Sequence, residues 1–141
     1  MKKTKFNALL CCILAIICSI NFTACDKDKD GSITAIKGVW LLKTVTNYTN
    51  GQAENVNAPE IGNTTVIFDE NTYLGKLYGS PLKEAGSWRI IGNTLEMKDD
   101  ITVIKFSVSV HNNDLTISTS ATDNGHNYKT EYKFTRIQIQ Q

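Results

Sequence analysis

Beyond residue 25 this chain contains no cysteine. All four, Cys11, Cys12, Cys18 and Cys25, fall at the N-terminal end. The remainder can therefore build neither a disulfide framework nor a thiolate zinc site, and its stability has to come from a packed core. A long hydrophobic run is also missing. The longest, Ala8 to Ile20, has thirteen residues interrupted only by Ser19, short of the roughly 20 that cross a bilayer. Charge of one sign is absent too, with 15 basic against 14 acidic side chains, which leaves no electrostatic footprint for nucleic acid. No His-Glu-X-X-His, Gly-X-Ser-X-Gly, Cys-X-X-Cys or phosphate-cradling glycine loop occurs. His111 and His126 have no partner at ligand spacing, and Asp99-Asp100 reads as a turn rather than an acid pair. Neither an enzyme, a cofactor nor a metal centre is expected.

What is present begins with an address. Lys2, Lys3 and Lys5 precede the apolar run, and small residues, Thr23 and Ala24, close it directly before Cys25. Residues 1–24 have the architecture of a signal peptide, and Phe22-Thr23-Ala24-Cys25 resembles the lipobox of bacterial lipoproteins. The resemblance implies cleavage before Cys25 and a thioether-linked diacylglyceryl group on its sulfur, often with a further acyl chain such as palmitate. Such an anchor makes the membrane a partner, because two or more acyl chains hold stably where one does not. The alternative is an ordinary secretory signal cut near Ala24, with Cys25 a free thiol.

Residues 25–37 then read as the lipidated cysteine and a charged tether. Asp26, Asp28, Asp30 and Gly31 match the first half of a calcium-binding loop, but Lys37 stands where the closing bidentate glutamate belongs, and Lys27 and Lys29 dilute the charge. A solvated spacer suits the stretch better. Acid- and lysine-rich tracts after the cysteine resemble a surface-export signal of lipoproteins in some Gram-negative anaerobes, whereas Asp26 directly after it resembles an inner-membrane retention signal of enteric bacteria. The outer membrane, with surface exposure, is the favoured location.

From Gly38 to the end the dominant signal is alternation with a period of two, in short runs rich in Val, Ile, Thr and aromatics. Strands are expected near Val39–Tyr48, Thr64–Phe68, Thr72–Tyr78, Gly86–Ile91, Thr94–Met97, Ile101–Val110, Leu115–Thr119 and Asn127–Arg136. Turn residues separate them: Asp69-Glu70-Asn71, Gly79-Ser80-Pro81, Gly92-Asn93, Asp99-Asp100 and Asn112-Asn113-Asp114. Ile104, Phe106, Val108 and Val110 share one face, and Tyr128, Thr130, Tyr132 and Phe134 share another. After Arg136 the apolar parity shifts to Ile137 and Ile139, the mark of a bulge or a strand end. The pattern is an all-β fold, an antiparallel eight-stranded up-and-down meander closing into a small barrel over residues 38–141, since closure removes exposed edges. The polar stretch Thr49–Asn63 reads as one long loop.

Gly38-Val39-Trp40 resembles the Gly-X-Trp signature that opens lipocalin barrels. With Thr65-Val66-Ile67-Phe68, Gly86-Ser87-Trp88, Gly92-Asn93-Thr94-Leu95 and Tyr132-Lys133-Phe134-Thr135-Arg136, the chain is similar to the lipocalin-like domains of bacterial lipoproteins. The resemblance implies that Trp40 plugs the closed end and that Arg136 lies across its indole, with Arg89 the rival partner. It also implies a binding module for a small apolar or amphipathic ligand in the barrel mouth. The lining candidates are Leu42, Phe68, Tyr73, Leu77, Trp88, Ile90, Phe106, Val108, Tyr128 and Tyr132, each of which is more often plain core than ligand wall, because a short barrel needs most of them to fill itself. The other reading is a structural or interaction lipoprotein whose filled barrel binds an envelope protein or glycan through its loops, Thr49–Asn63 and Ser120–Asn127 being the candidate surfaces.

Overall fold

The computed structural model describes residues 35–57 and 62–139. The segment read as a signal peptide, Cys25, residues 26–34 of the half-matched calcium loop at 26–37 and part of the 49–63 stretch lie outside the described residues. Nine strands run in chain order: β1 (Gly38–Thr49), β2 (Gln52–Asn55), β3 (Thr65–Phe68), β4 (Thr72–Leu74), β5 (Ala85–Ile91), β6 (Thr94–Lys98), β7 (Val103–His111), β8 (Asp114–Asp123) and β9 (His126–Ile137). Each neighbour pairing is antiparallel, and β9 returns to pair with β1 along nearly its whole length, from Val39↔Ile137 to Thr49↔Tyr128. The result is the expected closed up-and-down barrel of eight strands, β1 and β3 to β9, with β2 as an extra strand.

Closure follows from the alternation. Trp40 and Leu42 of β1, Val66 and Phe68 of β3, Tyr73 of β4 and Trp88 of β5 are buried, while their chain neighbours face outward. Leu95 and Met97 of β6, Phe106 of β7, Leu115 and Ile117 of β8, and Tyr132 and Phe134 of β9 complete one core. Phe68 meets Trp88 edge-on with ring centroids 5.4 Å apart, and Phe106 meets Tyr132 in the same way at 6.4 Å. These geometries are the favoured ones for aromatic quadrupoles.

Three local features depart from the simple meander. First, β1 carries a bulge between Leu42 and Thr44, so Lys43 and Thr44 both face out and Val45 returns to the core. Second, the stretch expected as one polar loop contains β2, which turns back through Asn50-Gly51 and pairs with the C-terminal half of β1, Thr46↔Asn55 to Thr49↔Gln52. The turn works because Asn50 and Gly51 both take positive φ, 50° and 81°, as a two-residue hairpin requires. Third, the strand expected over Thr72–Tyr78 stops at Leu74, and residues 75–84 fold as a loop. Nor does the packing begin at Gly38. Ile36, placed by its sequence context in the tether, is buried in the core, and Ala35 and Ile36 are helical in backbone.

Candidate functional site

Both ends of the barrel are stoppered, and the two stoppers decide what kind of site the molecule can offer. At the end where β1 begins, Trp40 is fully buried and donates its indole N–H to the carbonyl of Ile36 at 2.7 Å. The Arg136 guanidinium lies 4.3 Å from the Trp40 ring centroid. Its two terminal nitrogens donate to the carbonyls of Lys37, at 2.6 Å, and of Ala35. One arginine thereby satisfies the backbone acceptors of the entering chain and covers the indole. Gly38 makes the arrangement possible: its φ is +135°, and a Cβ there would sit 2.6 Å from the Arg136 side chain. The rival, Arg89, instead pairs with Glu96 on the outer wall at 2.8 Å.

The opposite end is the expected ligand mouth, and the 75–84 loop closes it. Leu77 and Leu82 are buried in the core from above. Three polar ties hold the loop. The Tyr132 hydroxyl donates to the Tyr78 carbonyl at 2.8 Å, the Tyr73 hydroxyl donates to the Lys83 carbonyl at 3.1 Å, and the Lys83 N–H donates to Asp99 Oδ2 at 2.8 Å. Asp99 Oδ1 accepts from the N–H groups of Ile101 and Thr102 at 2.8 and 2.6 Å. The Lys83, Ile101 and Thr102 N–H donors, in that order, hold the Asp99 carboxyl below the usual aspartate range, because they favour its charged form. Burial pushes the phenols of Tyr73 and Tyr132 up.

Of the lining candidates, Leu42, Phe68, Tyr73, Trp88, Phe106 and Tyr132 are buried and pack on one another; Leu77 joins them from the loop rather than from a strand. Ile90 and Val108 are partly buried against that core. Tyr128 stands apart, 42 % exposed on the part of β9 that rises above the barrel. The clefts lie on the outer wall or at its ends. One of about 500 Å³ lies between Ala35-Ile36, the Gly92-Asn93 turn and the end of β7. Another of about 360 Å³ runs along Tyr48, Ser120, Thr122, Asn127 and Lys129, where β8, β9, β1 and β2 continue beyond the rest as a small four-stranded sheet. There Lys129 Nζ stands 5.3 Å from the Tyr48 ring centroid, and Asn50 ties to His126 Nδ1 at 2.9 Å. That contact places the second histidine in a turn-to-turn brace. Among the described residues no cluster of His, Cys, Asp or Glu could hold a metal ion, and no helix is long and apolar enough to cross a membrane.

Sequence reasoning missed Ile36, Leu82 and the Asp99 hub. Ile36 precedes the first alternating run, in the stretch read as tether, and Leu82 lies beside a proline; Asp99 gives its signal only as Asx-type turn chemistry. The geometry defines a class: a closed antiparallel barrel filled by its own side chains and stoppered at both ends. Comparison with protein-family models, with curated proteins and with solved structures finds no match to this chain.

Proposed function

We propose that the protein is a lipid-anchored module of the cell envelope that acts through its outer surface, as a non-enzymatic structural or interaction protein, and not by enclosing a ligand. The observation that supports this most is the filled interior. Trp40, Phe68, Phe106, Phe134, Leu95, Met97, Leu115 and Ile117 are each less than 2 % exposed, and the Leu77–Leu82 loop occupies the mouth. A small barrel is wide enough either to fill with side chains or to hold one small ligand, and this one is filled. Support for the anchor comes from sequence alone: the signal architecture and the lipobox-like Phe22-Thr23-Ala24-Cys25. The outer membrane is the proposed location, and an envelope protein or glycan the proposed partner.

Two experiments test this. Fluorescent fatty acids and retinoids should fail to bind the purified protein, and organic extraction should yield no bound ligand; saturable binding would restore the enclosed-ligand reading. Globomycin should leave unprocessed precursor in cells, and Cys25→Ser should move the protein from the membrane to the soluble fraction. Normal processing under globomycin, together with unchanged membrane association of Cys25→Ser, would remove the anchor.

A further inference from the structure

Outward positions on a barrel wall meet water and are ordinarily polar, because inward residues alternate with them. One register row breaks that rule across five strands. Ala85 pairs with Leu74, Leu74 with Ile67, Ile67 with Val39, and Val39 with Ile137. Leu74 is 57 % exposed, Ile137 38 % and Ile67 37 %, and Ile139 follows at 72 %. Their chain neighbours Tyr73, Val66, Phe68 and Trp40 are core residues, so these segments are apolar on both faces. Polar residues appear in the rows on either side. Thr65 and Thr135 flank Leu41 on one side, and the Lys37–Glu70 ion pair, 2.8 Å long, lies on the other. The stripe is a bounded band, not scattered greasy residues.

Its place in the chain says what covers it. Val39, at the centre of the band, is four residues past Ala35, and Cys25 is ten residues before Ala35. Ten residues reach about 35 Å even at full extension, so a lipid on Cys25 keeps this end of the barrel within that distance of the bilayer. A protein partner of ordinary affinity takes about 20–30 residues a side, far more than this band supplies. An anchored domain needs only a weak contact, because the anchor already sets a high effective concentration. We infer that the Leu74–Ile67–Val39–Ile137 band is the face that the barrel lays on the lipid surface entered by its own anchor. The inference rests on the lipidation of Cys25 proposed above.

The test uses the full, lipidated chain in vesicles of phosphatidylethanolamine and phosphatidylglycerol. A thioether at Cys25 leaves no other thiol in the processed chain, so Leu74→Cys and Ile137→Cys can each take a single environment-sensitive fluorophore. Asp123→Cys, at the turn between β8 and β9, marks the opposite end. Spin-labelled lipid should quench the probes at 74 and 137 several-fold more than the probe at 123, and their emission should shift to the blue. Adding Ile67→Asp should reverse the quenching at 137 in protein that still melts cooperatively, since that side chain faces outward. Equal quenching at all three positions, in protein that still floats with the vesicles, would overturn the inference and leave the anchor standing. Protein that fails to float and carries an unmodified Cys25 by mass spectrometry would end both. A blue shift that grows with protein concentration but resists lipid quenching would assign the band to a second copy of the chain and overturn the lipid contact.

Discussion

At the residue scale the closed end rests on three side-chain positions acting as one unit. Arg136 needs Trp40 as a platform, the Ala35 and Lys37 carbonyls as acceptors, and the missing Cβ of Gly38 as space. Trp40→Ala should cost about 3–5 kcal/mol in a denaturant titration, as large aromatic truncations in cores do. Arg136→Lys keeps the charge but loses the planar fork that reaches two carbonyls while stacking on an indole, and should cost about 1–3 kcal/mol. Gly38→Ala should approach the Arg136→Lys loss, because it expels the guanidinium, and combining the two should cost less than their sum. Full additivity would show that the glycine and the arginine act separately. Gly86 repeats the logic in the second Gly-X-Trp run: a Cβ there would press on the Lys98 carbonyl and, at 2.7 Å, on the Tyr73 ring. The residues of this unit were legible because Gly-X-Trp is a recognisable string. Ile36 was not, since it lies before the first alternating run, in the stretch read as tether.

At the element scale the alternation located every barrel strand, and the corrections fall where the period breaks. Trp40 and Leu42 face in, yet the next inward residue is Val45, the odd spacing of a bulge; the parity shift after Arg136 marks the strand end, which falls at Ile137. The 75–84 loop hid because Leu77 continues an apolar alternation that Gly75 terminates and Leu82 follows a proline. Its stopper makes a pH prediction. The folded Asp99 carboxyl titrates below its unfolded value of about 3.9, so its contribution is present above that value and is lost as pH falls through the lower, folded one. Thermal melts should therefore show Asp99→Asn less stable than the parent at neutral pH, with the gap closing below about pH 4. A gap independent of pH would mean that the charge is not what holds Lys83, Ile101 and Thr102. Tyr132 runs the other way. Its folded pKa is raised by burial, so its contribution is present below its unfolded value of about 10 and is lost as pH rises through the folded one. Tyr132→Phe should cost about 1 kcal/mol at neutral pH, the worth of its bond to the Tyr78 carbonyl, and should blunt alkaline unfolding.

At the scale of the whole molecule, closure joins the first strand to the last. Local pattern could indicate that the meander closes, because open edges are a liability, but it could not show that β9 would run beside β1 so far past the barrel rim that β2 and β8 follow them. That extension leaves Thr119–Asp123 of β8 paired to β9 and without a β7 partner among the described residues, β7 matching β8 only as far as Ser107↔Ser118. The molecule should therefore open in two stages. Amides of Gln52–Asn55 and Thr119–Asp123 sit in exposed sheet with no core beneath them and should exchange by local opening. Amides beside Trp40, Leu42, Leu115 and Phe134 should exchange only through global unfolding. Since β1–β9 pairing must form across the full length of the domain, refolding should fall in the millisecond-to-second range of non-local β topologies. Removing residues 126–141 should leave no partly folded barrel, for β9 supplies Tyr132, Phe134 and Arg136 and is the partner that closes both β1 and β8. A truncated chain that still melts cooperatively and protects the β5–β7 amides would show that the meander is stable without closure, and that the filled interior does not depend on the ring being complete.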